Sequence, residues 1–196
     1  MKIALACDHG ALDLKNRGKL NRQAVVGTIM TNFGFGKFCD ENDLRFVATK
    51  VGDRYVLEEM LLEDYVLGGE QSGHVIFREF ATTGDGQLTA VQLLSILKEQ
   101  STKTLAELAS VMTRYPQTMV NLRISAEGKV AFFTDKVIAA KLDETKQKLG
   151  DTGRIVVRPS GTEPLIRVMV EGSDVKFIEE VANDVADVIM QRLGNK

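Results

Sequence analysis

The run Arg158-Pro159-Ser160-Gly161-Thr162-Glu163-Pro164 gathers one guanidinium, two hydroxyls and a glycine into a single short loop. Arginine presents a planar fork that pairs two phosphate oxygens at once. Ser160, Thr162 and the backbone amides around Gly161 can complete a cradle for an anion. A strand-like run, Ile155-Val156-Val157, leads into the loop, and another, Leu165 to Val170, leads out. A plain turn carrying Pro and Gly would use the same residues, so the loop gains weight from its company.

That company is a second constellation, Gly68-Gly69-Glu70-Gln71-Ser72-Gly73-His74, which also joins two strand-like runs. Three glycines allow a tight exposed loop. Glu70 can accept hydrogen bonds from vicinal sugar hydroxyls, and Ser72 can both donate and accept. His74, with an ordinary pKa of about 6.5, either orients the loop or shares in phosphate recognition. The competing reading is a glycine-rich hairpin with a solvated Glu and a structural His. A third element, Lys50-Val51-Gly52-Asp53-Arg54, sits at a strand-to-helix junction. There Lys50 and Arg54 can steer an anionic ligand while Asp53 caps the helix, and a simple capping turn explains it almost as well.

The frame around these loops is that of a globular protein. The chain has 196 residues, 44% hydrophobic and 27% charged, with a net charge of −2. That length suggests one or two domains, each with its own core. The near-neutral charge gives no reason to expect nucleic-acid or membrane binding. No apolar run approaches the roughly 20 residues needed to span a bilayer. Cys7 and Cys39 lie too far apart in sequence for a metal-ligand pair, and reduced thiols in a cytoplasmic protein are the expectation.

Strands are predicted over Ala24–Met30, Leu44–Thr49, Tyr65–Leu67 and Val75–Phe77, from short β-branched or apolar runs bounded by polar or glycine residues. Arg54–Leu62 has helical spacing with Val56, Leu57, Met60 and Leu61 on one face. Asp85–Gln100 reads as an amphipathic helix through Leu88, Val91, Leu94, Ile96 and Leu97. Alternating strands and helices argue an α/β layered unit with a parallel or mixed sheet. After a short helix near Thr104–Met112 a boundary is expected at Tyr115-Pro116. Beyond it come a strand (119–124), a helix (135–149), two strands (154–157 and 165–170) and a helix from Asp174 to Arg192 capped by Ser173 or Asp174. A hairpin with helices on one face makes this a small α+β domain.

The three motifs, in the order VGDRYVLEEM, LGGEQSGHVIF and RPSGTEPLIRVMVEG, resemble the C-terminal half of the α-D-phosphohexomutase family. The wording of the first two is nearest the branch that acts on glucosamine phosphates. The branches acting on mannose and glucose phosphates share the architecture and stand as alternatives. The resemblance runs from about Ala11 to Leu193. It implies that residues 1–115 form the family's third domain, a three-layer α/β/α unit that reads the sugar. Residues 116–196 would form the fourth, a two-layer domain of helices on an antiparallel sheet. Glu70 and Ser72 would contact sugar hydroxyls, while His74, Lys50, Asp53 and Arg54 would line the cleft. Arg158, Ser160, Gly161 and Thr162 would bind the phosphate, helped by Arg167.

Members of the glucosamine branch convert glucosamine 6-phosphate to glucosamine 1-phosphate through a bisphosphorylated sugar, using a phosphoserine and Mg²⁺. Neither the phosphoserine loop nor the DGD-type aspartate cluster that holds the metal has a counterpart in this sequence. Asp40-Glu41-Asn42-Asp43 reads as a solvated loop. No catalytic residue and no metal ligand is therefore assigned, and the chain alone is expected to bind a phosphosugar without turning it over. A non-catalytic module that docks on a partner, or on itself through an exposed apolar surface, is the reading from another class.

Met1 to Gly10 resembles instead the opening strand of ribose-5-phosphate isomerases of the B type, where an Asp-His pair meets substrate. The match is too short to assign Asp8 or His9 a role. A helix starting near Gly10, after an irregular or strand-like lead, is expected.

Overall fold

The computed structural model describes residues 4–194, and the side chains of residues 4–9 fall outside that description. The chain divides into two compact units between Arg114 and Tyr115.

In the first unit the elements are α1 (Ala4–Asn16), β1 (Ala24–Thr28), α2 (Phe33–Glu41), β2 (Arg45–Thr49), α3 (Asp53–Leu62), β3 (Leu67–Gly69), β4 (Val75–Phe77), α4 (Gly86–Glu99) and α5 (Leu105–Ala109). The strands form one mixed sheet in the order β2-β1-β3-β4, parallel except for β4, which returns antiparallel to β3. Every residue of β1 is buried, and its alternation explains the layers. Val25 joins Phe35, Phe38, Leu67, Val75 and Phe77 in one cluster, with α1 and α2 behind it. Ala24 and Val26 turn the other way, onto Val56, Met60, Tyr65 and Ile76, with α3 behind them. A strand apolar on both faces needs cover on both, which makes the unit three-layered α/β/α.

Three expectations are corrected here. Helix α1 begins at Ala4, well before Gly10, because Ala4-Leu5-Ala6 are strong helix formers and a short apolar run does not distinguish strand from helix. The expected lead over residues 1–3 lies outside the described residues. Leu61 does not share the buried face of α3: Val56 and Met60 are buried, and Leu61 is 54% exposed. In α4 the inward stripe runs through Leu88, Leu93, Ile96 and Leu97, whereas Val91 and Leu94 are 62% and 61% exposed. Repeated steps of three rotate off a stripe that steps of three and four alternately keep. Helix α2, absent from the sequence reading, is capped by the Asn32 side chain accepting from Gly34 N (3.1 Å) and held by Phe35 and Phe38 in the core.

The second unit holds β5 (Gln117–Arg123), α6 (Ala126–Ala131), α7 (Lys136–Leu149), β6 (Gly153–Pro159), β7 (Leu165–Gly172) and α8 (Val175–Leu193). Its sheet is fully antiparallel in the order β5-β7-β6, so the long β7 is central. Ile166, Val168 and Val170 point from β7 into a core completed by Ile178, Val181, Val185 and Ile189 of α8. The cap of α8 is Asp174, whose Oδ1 accepts from Lys176 N (2.9 Å) and Phe177 N (3.2 Å). Because β7 alternates, Arg167, Met169 and Glu171 project from the face opposite the helices. That face carries the phosphate-loop arginines.

Candidate functional site

The loop 160–164 connects β6 to β7, and its backbone is tied down from within. Ser160 N donates to Leu165 O (2.8 Å), Leu165 N to Glu163 O (2.8 Å), and Glu163 N to the Ser160 hydroxyl (3.2 Å). Ser160 is buried, so its hydroxyl shapes the loop, while Gly161 and Thr162 are exposed. A Cβ built on Gly161 would meet nothing within 4 Å. The glycine thus leaves open space in front of the backbone.

Arg158 and Arg167 face each other in register across β6 and β7. Like charges directly opposite on neighbouring strands repel. The Arg158 and Arg167 Nε atoms are buried without a hydrogen-bond partner. An Nη2 of Arg167 pairs with the Glu163 carboxylate, which is half exposed. On the other side of β7, Asn121 of β5 stands in register with Arg167. The outcome is a row, Asn121–Arg167–Arg158, of donors with unspent capacity beside a loop with free amides. Chemically, such a row suits a multiply charged oxyanion.

Sequence reading missed Lys129 of α6. Its Nζ donates to Ser160 O and to Glu163 O (3.0 Å), clasping the loop from behind. Its position more than thirty residues before the loop left no local signal. Farther along the same sheet face, Arg154 Nε donates to Glu171 Oε2 at 2.6 Å, and Glu171 is fully buried.

In the first unit, β3 and β4 are joined by a loop in which Glu70 N donates to His74 O (2.8 Å) and Gly73 N to Glu70 O (3.2 Å). Gly73, at φ +110°, supplies a backbone conformation that L side chains rarely adopt. Gly68 serves packing instead. Gly68 and Gly69 lie buried within β3, and a Cβ at Gly68 would come within 2.6 Å of Met60 Sδ and 2.8 Å of Val56 Cγ1. Gly68 is small so that α3 can approach the sheet.

The Glu70 and Lys50–Arg54 motifs meet in space. Glu70 Oε1 accepts from Gly52 N at 2.8 Å, which leaves Oε2 for another donor. His74 Nε2 accepts from Gly84 N (2.9 Å) and lies 3.4 Å from Asp53 Oδ2. As an acceptor, that nitrogen carries no proton, so the neutral Nδ1–H tautomer fits the bond. Asp53 is not the cap of α3. The helix starts at Asp53 and Gly52, at φ +133°, occupies the cap position with no side-chain bond. Glycine takes that position because its φ is closed to an Asp side chain. Arg54 pairs with Glu58 (2.8 Å) on the exposed flank of α3, and the Lys50 ammonium sits 5.8 Å from the centre of the Tyr55 ring. Ser72 is exposed at the loop tip.

The two clusters thus belong to different units: Glu70, Ser72, His74, Lys50, Asp53 and Arg54 to the first, and Arg158, Ser160, Gly161, Thr162 and Arg167 to the second. Among the described residues no three His, Cys, Asp or Glu side chains gather where a metal ion could sit, so these residues offer no fitted Mg²⁺ site. No described helix is long and apolar enough to cross a membrane.

Comparison with known proteins gives consistent matches. Residues 7–115 fit the model of phosphoglucomutase/phosphomannomutase α/β/α domain III, and residues 119–188 fit that of the C-terminal domain. The chain is 51% identical over 184 residues to the phosphoglucosamine mutase of Leifsonia xyli and 49% identical over 183 residues to that of Acetivibrio thermocellus. It covers 94% and 93% of itself in those matches, but spans only 40% of each relative's length. Aspergillus fumigatus N-acetylphosphoglucosamine mutase, in complex with GlcNAc-6P and magnesium, superposes with a TM-score of 0.77 at 19% identity. That match covers 96% of this chain and 46% of the other.

Proposed function

From the premise that the chain belongs to the phosphoglucomutase/phosphomannomutase family, we propose that it carries the substrate-reading part of a phosphoglucosamine mutase. The second unit holds the sugar's phosphate and the first reads its hydroxyls. The observation that carries this reading is the in-register pair Arg158 and Arg167, whose buried Nε atoms lack partners. Two facing guanidiniums are costly unless an anion bridges them, and a phosphate has the oxygens to bridge both. The 51% and 49% identity to two bacterial phosphoglucosamine mutases supports glucosamine over mannose or glucose.

In this reading the phosphate dianion sits against Arg158 and Arg167, with the Gly161 and Thr162 amides and the Thr162 hydroxyl as further donors. The second oxygen of Glu70 accepts from a sugar hydroxyl while the first stays on Gly52 N. Ser72, exposed at the tip, donates or accepts in turn. His74 and Asp53 brace the hairpin, and Lys50 and Arg54 add positive charge nearby. The chain's part in the reaction is positioning and charge neutralisation, both of which phosphoryl transfer depends on. The transfer step itself is assigned to no residue here.

An NMR titration with glucosamine 6-phosphate tests the proposal. Amide shifts confined to residues 68–74 and 158–163 are expected. Absence of any shift at millimolar ligand would remove substrate recognition from this chain. Glu70→Ala should weaken the sugar phosphate and leave inorganic phosphate unaffected; equal losses would contradict the division of roles.

A further inference from the structure

We propose that Lys129 is a positioning residue for the phosphate loop: it fixes the direction in which the Gly161 amide is presented to the anion. This deepens the reading above and rests on it. In a planar trans peptide the carbonyl and the next N–H point in opposite directions. Lys129 Nζ holds the Ser160 carbonyl towards α6. The Gly161 N–H is thereby turned away from α6.

The second carbonyl that Lys129 holds belongs to Glu163 (3.0 Å). The residue after it is Pro164, which has no N–H to lose. One ammonium therefore secures both ends of the loop while turning outwards only one donor, that of Gly161. The remaining amides are already used: Ser160 N by Leu165 O, Glu163 N by the Ser160 hydroxyl, and Leu165 N by Glu163 O. Among the described residues the Gly161 and Thr162 amides are the loop donors left for a ligand. The approach to Gly161 is open, with no atom within 4 Å of where its Cβ would stand. Lys129 also brings a positive charge behind the loop, which adds to the field of Arg158 and Arg167.

A merely structural lysine would stabilise the loop and leave phosphate affinity unchanged in the folded protein. The test therefore separates affinity from stability. Lys129→Met, Lys129→Gln and Arg158→Ala are compared with the unaltered chain by calorimetric titration with inorganic phosphate, thermal midpoint, and the Gly161 and Thr162 amide shifts at saturation. Lys129→Met is expected to weaken phosphate by roughly tenfold, the scale of one charge-assisted interaction. Its thermal midpoint should change little, and the phosphate-induced shift of the Gly161 amide should collapse. Lys129→Gln, which can still donate to a carbonyl, is expected to lose less.

Wild-type phosphate affinity in the folded Lys129→Met variant overturns the proposal. So does a loss of affinity with the Gly161 shift intact. If Arg158→Ala also leaves phosphate binding unchanged, the phosphate-loop reading falls as well. If Arg158→Ala abolishes binding while the Lys129 variants match wild type, only the role of Lys129 is lost.

Discussion

At the scale of single residues, the site is built from groups whose hydrogen-bonding capacity is only partly spent. Arg158 shows the consequence most directly. Its partner across the strand is another arginine, so replacing it with alanine relieves repulsion in the empty protein yet removes a fork that grips the ligand. Arg158→Ala should therefore leave the fold intact and cost about 2–5 kcal/mol in phosphate binding, read by titration. Glu163 acts in the opposite sense. Its carboxylate pairs with Arg167 when no ligand is bound, and a phosphate must compete with it. Glu163→Gln should tighten inorganic phosphate by roughly two- to fivefold, since an exposed ion pair is worth up to about 1 kcal/mol. Weaker binding in that variant would show that Glu163 supports the loop. The donor types at both loops were legible from sequence because arginine, serine and glutamate advertise their chemistry. The contacts that spend them were not: Glu70 to Gly52, His74 to Gly84 and Lys129 to the loop carbonyls all span distant positions.

At the scale of elements, legibility followed the strength of the pattern. Helix α8 was readable because Ile178, Val181, Val185 and Ile189 keep one face over its length, and all four are buried. Helix α2 was not, because Phe33-Gly34-Phe35-Gly36 has poor helix propensity and is held by the Asn32 cap and by tertiary packing. The hairpin glycines read as loop residues because a sequence does not reveal close approach between elements. Gly68→Ala should accordingly destabilise the first unit by about 1–3 kcal/mol, the range for overpacking, as its new methyl meets Met60 and Val56. Charge also fastens elements. Asp135 caps α7 through Val137 N and Ile138 N and reaches Arg192 of α8. The Arg192 guanidinium first, and the cap amides next, hold its carboxyl below the usual aspartate range. A depressed folded pKa contributes stability above the ordinary value, and that contribution disappears as pH falls through the folded value. Asp135→Asn, which keeps a capping oxygen, should lower the thermal midpoint at pH 7 and flatten its decline below about pH 4. Parallel acid profiles for the two proteins would exclude this fastening.

At the scale of the whole molecule, the two units have separate hydrophobic cores. Every buried member of the second core, from Leu122 to Leu193, lies within the second unit. The phosphate loop, its arginines and Lys129 lie there too. A piece covering residues 115–196 should then fold cooperatively by itself and bind inorganic phosphate within about threefold of the full chain, because neither core nor phosphate donors come from elsewhere. It should bind glucosamine 6-phosphate no better than inorganic phosphate, because Glu70 and Ser72 stay behind. On the surface of the first unit Leu61, Leu62, Phe80, Val91 and Leu94 are all exposed, with Leu62 at 77%. Exposed apolar side chains of this size favour association when they form a contiguous patch. Light scattering on the separated pieces decides where any association resides. If the surface of the first unit drives it, residues 1–114 will self-associate with rising concentration and residues 115–196 will stay monomeric. Association of the second piece would instead implicate Val130 and Phe133, which are 71% and 74% exposed beside the phosphate loop's own brace.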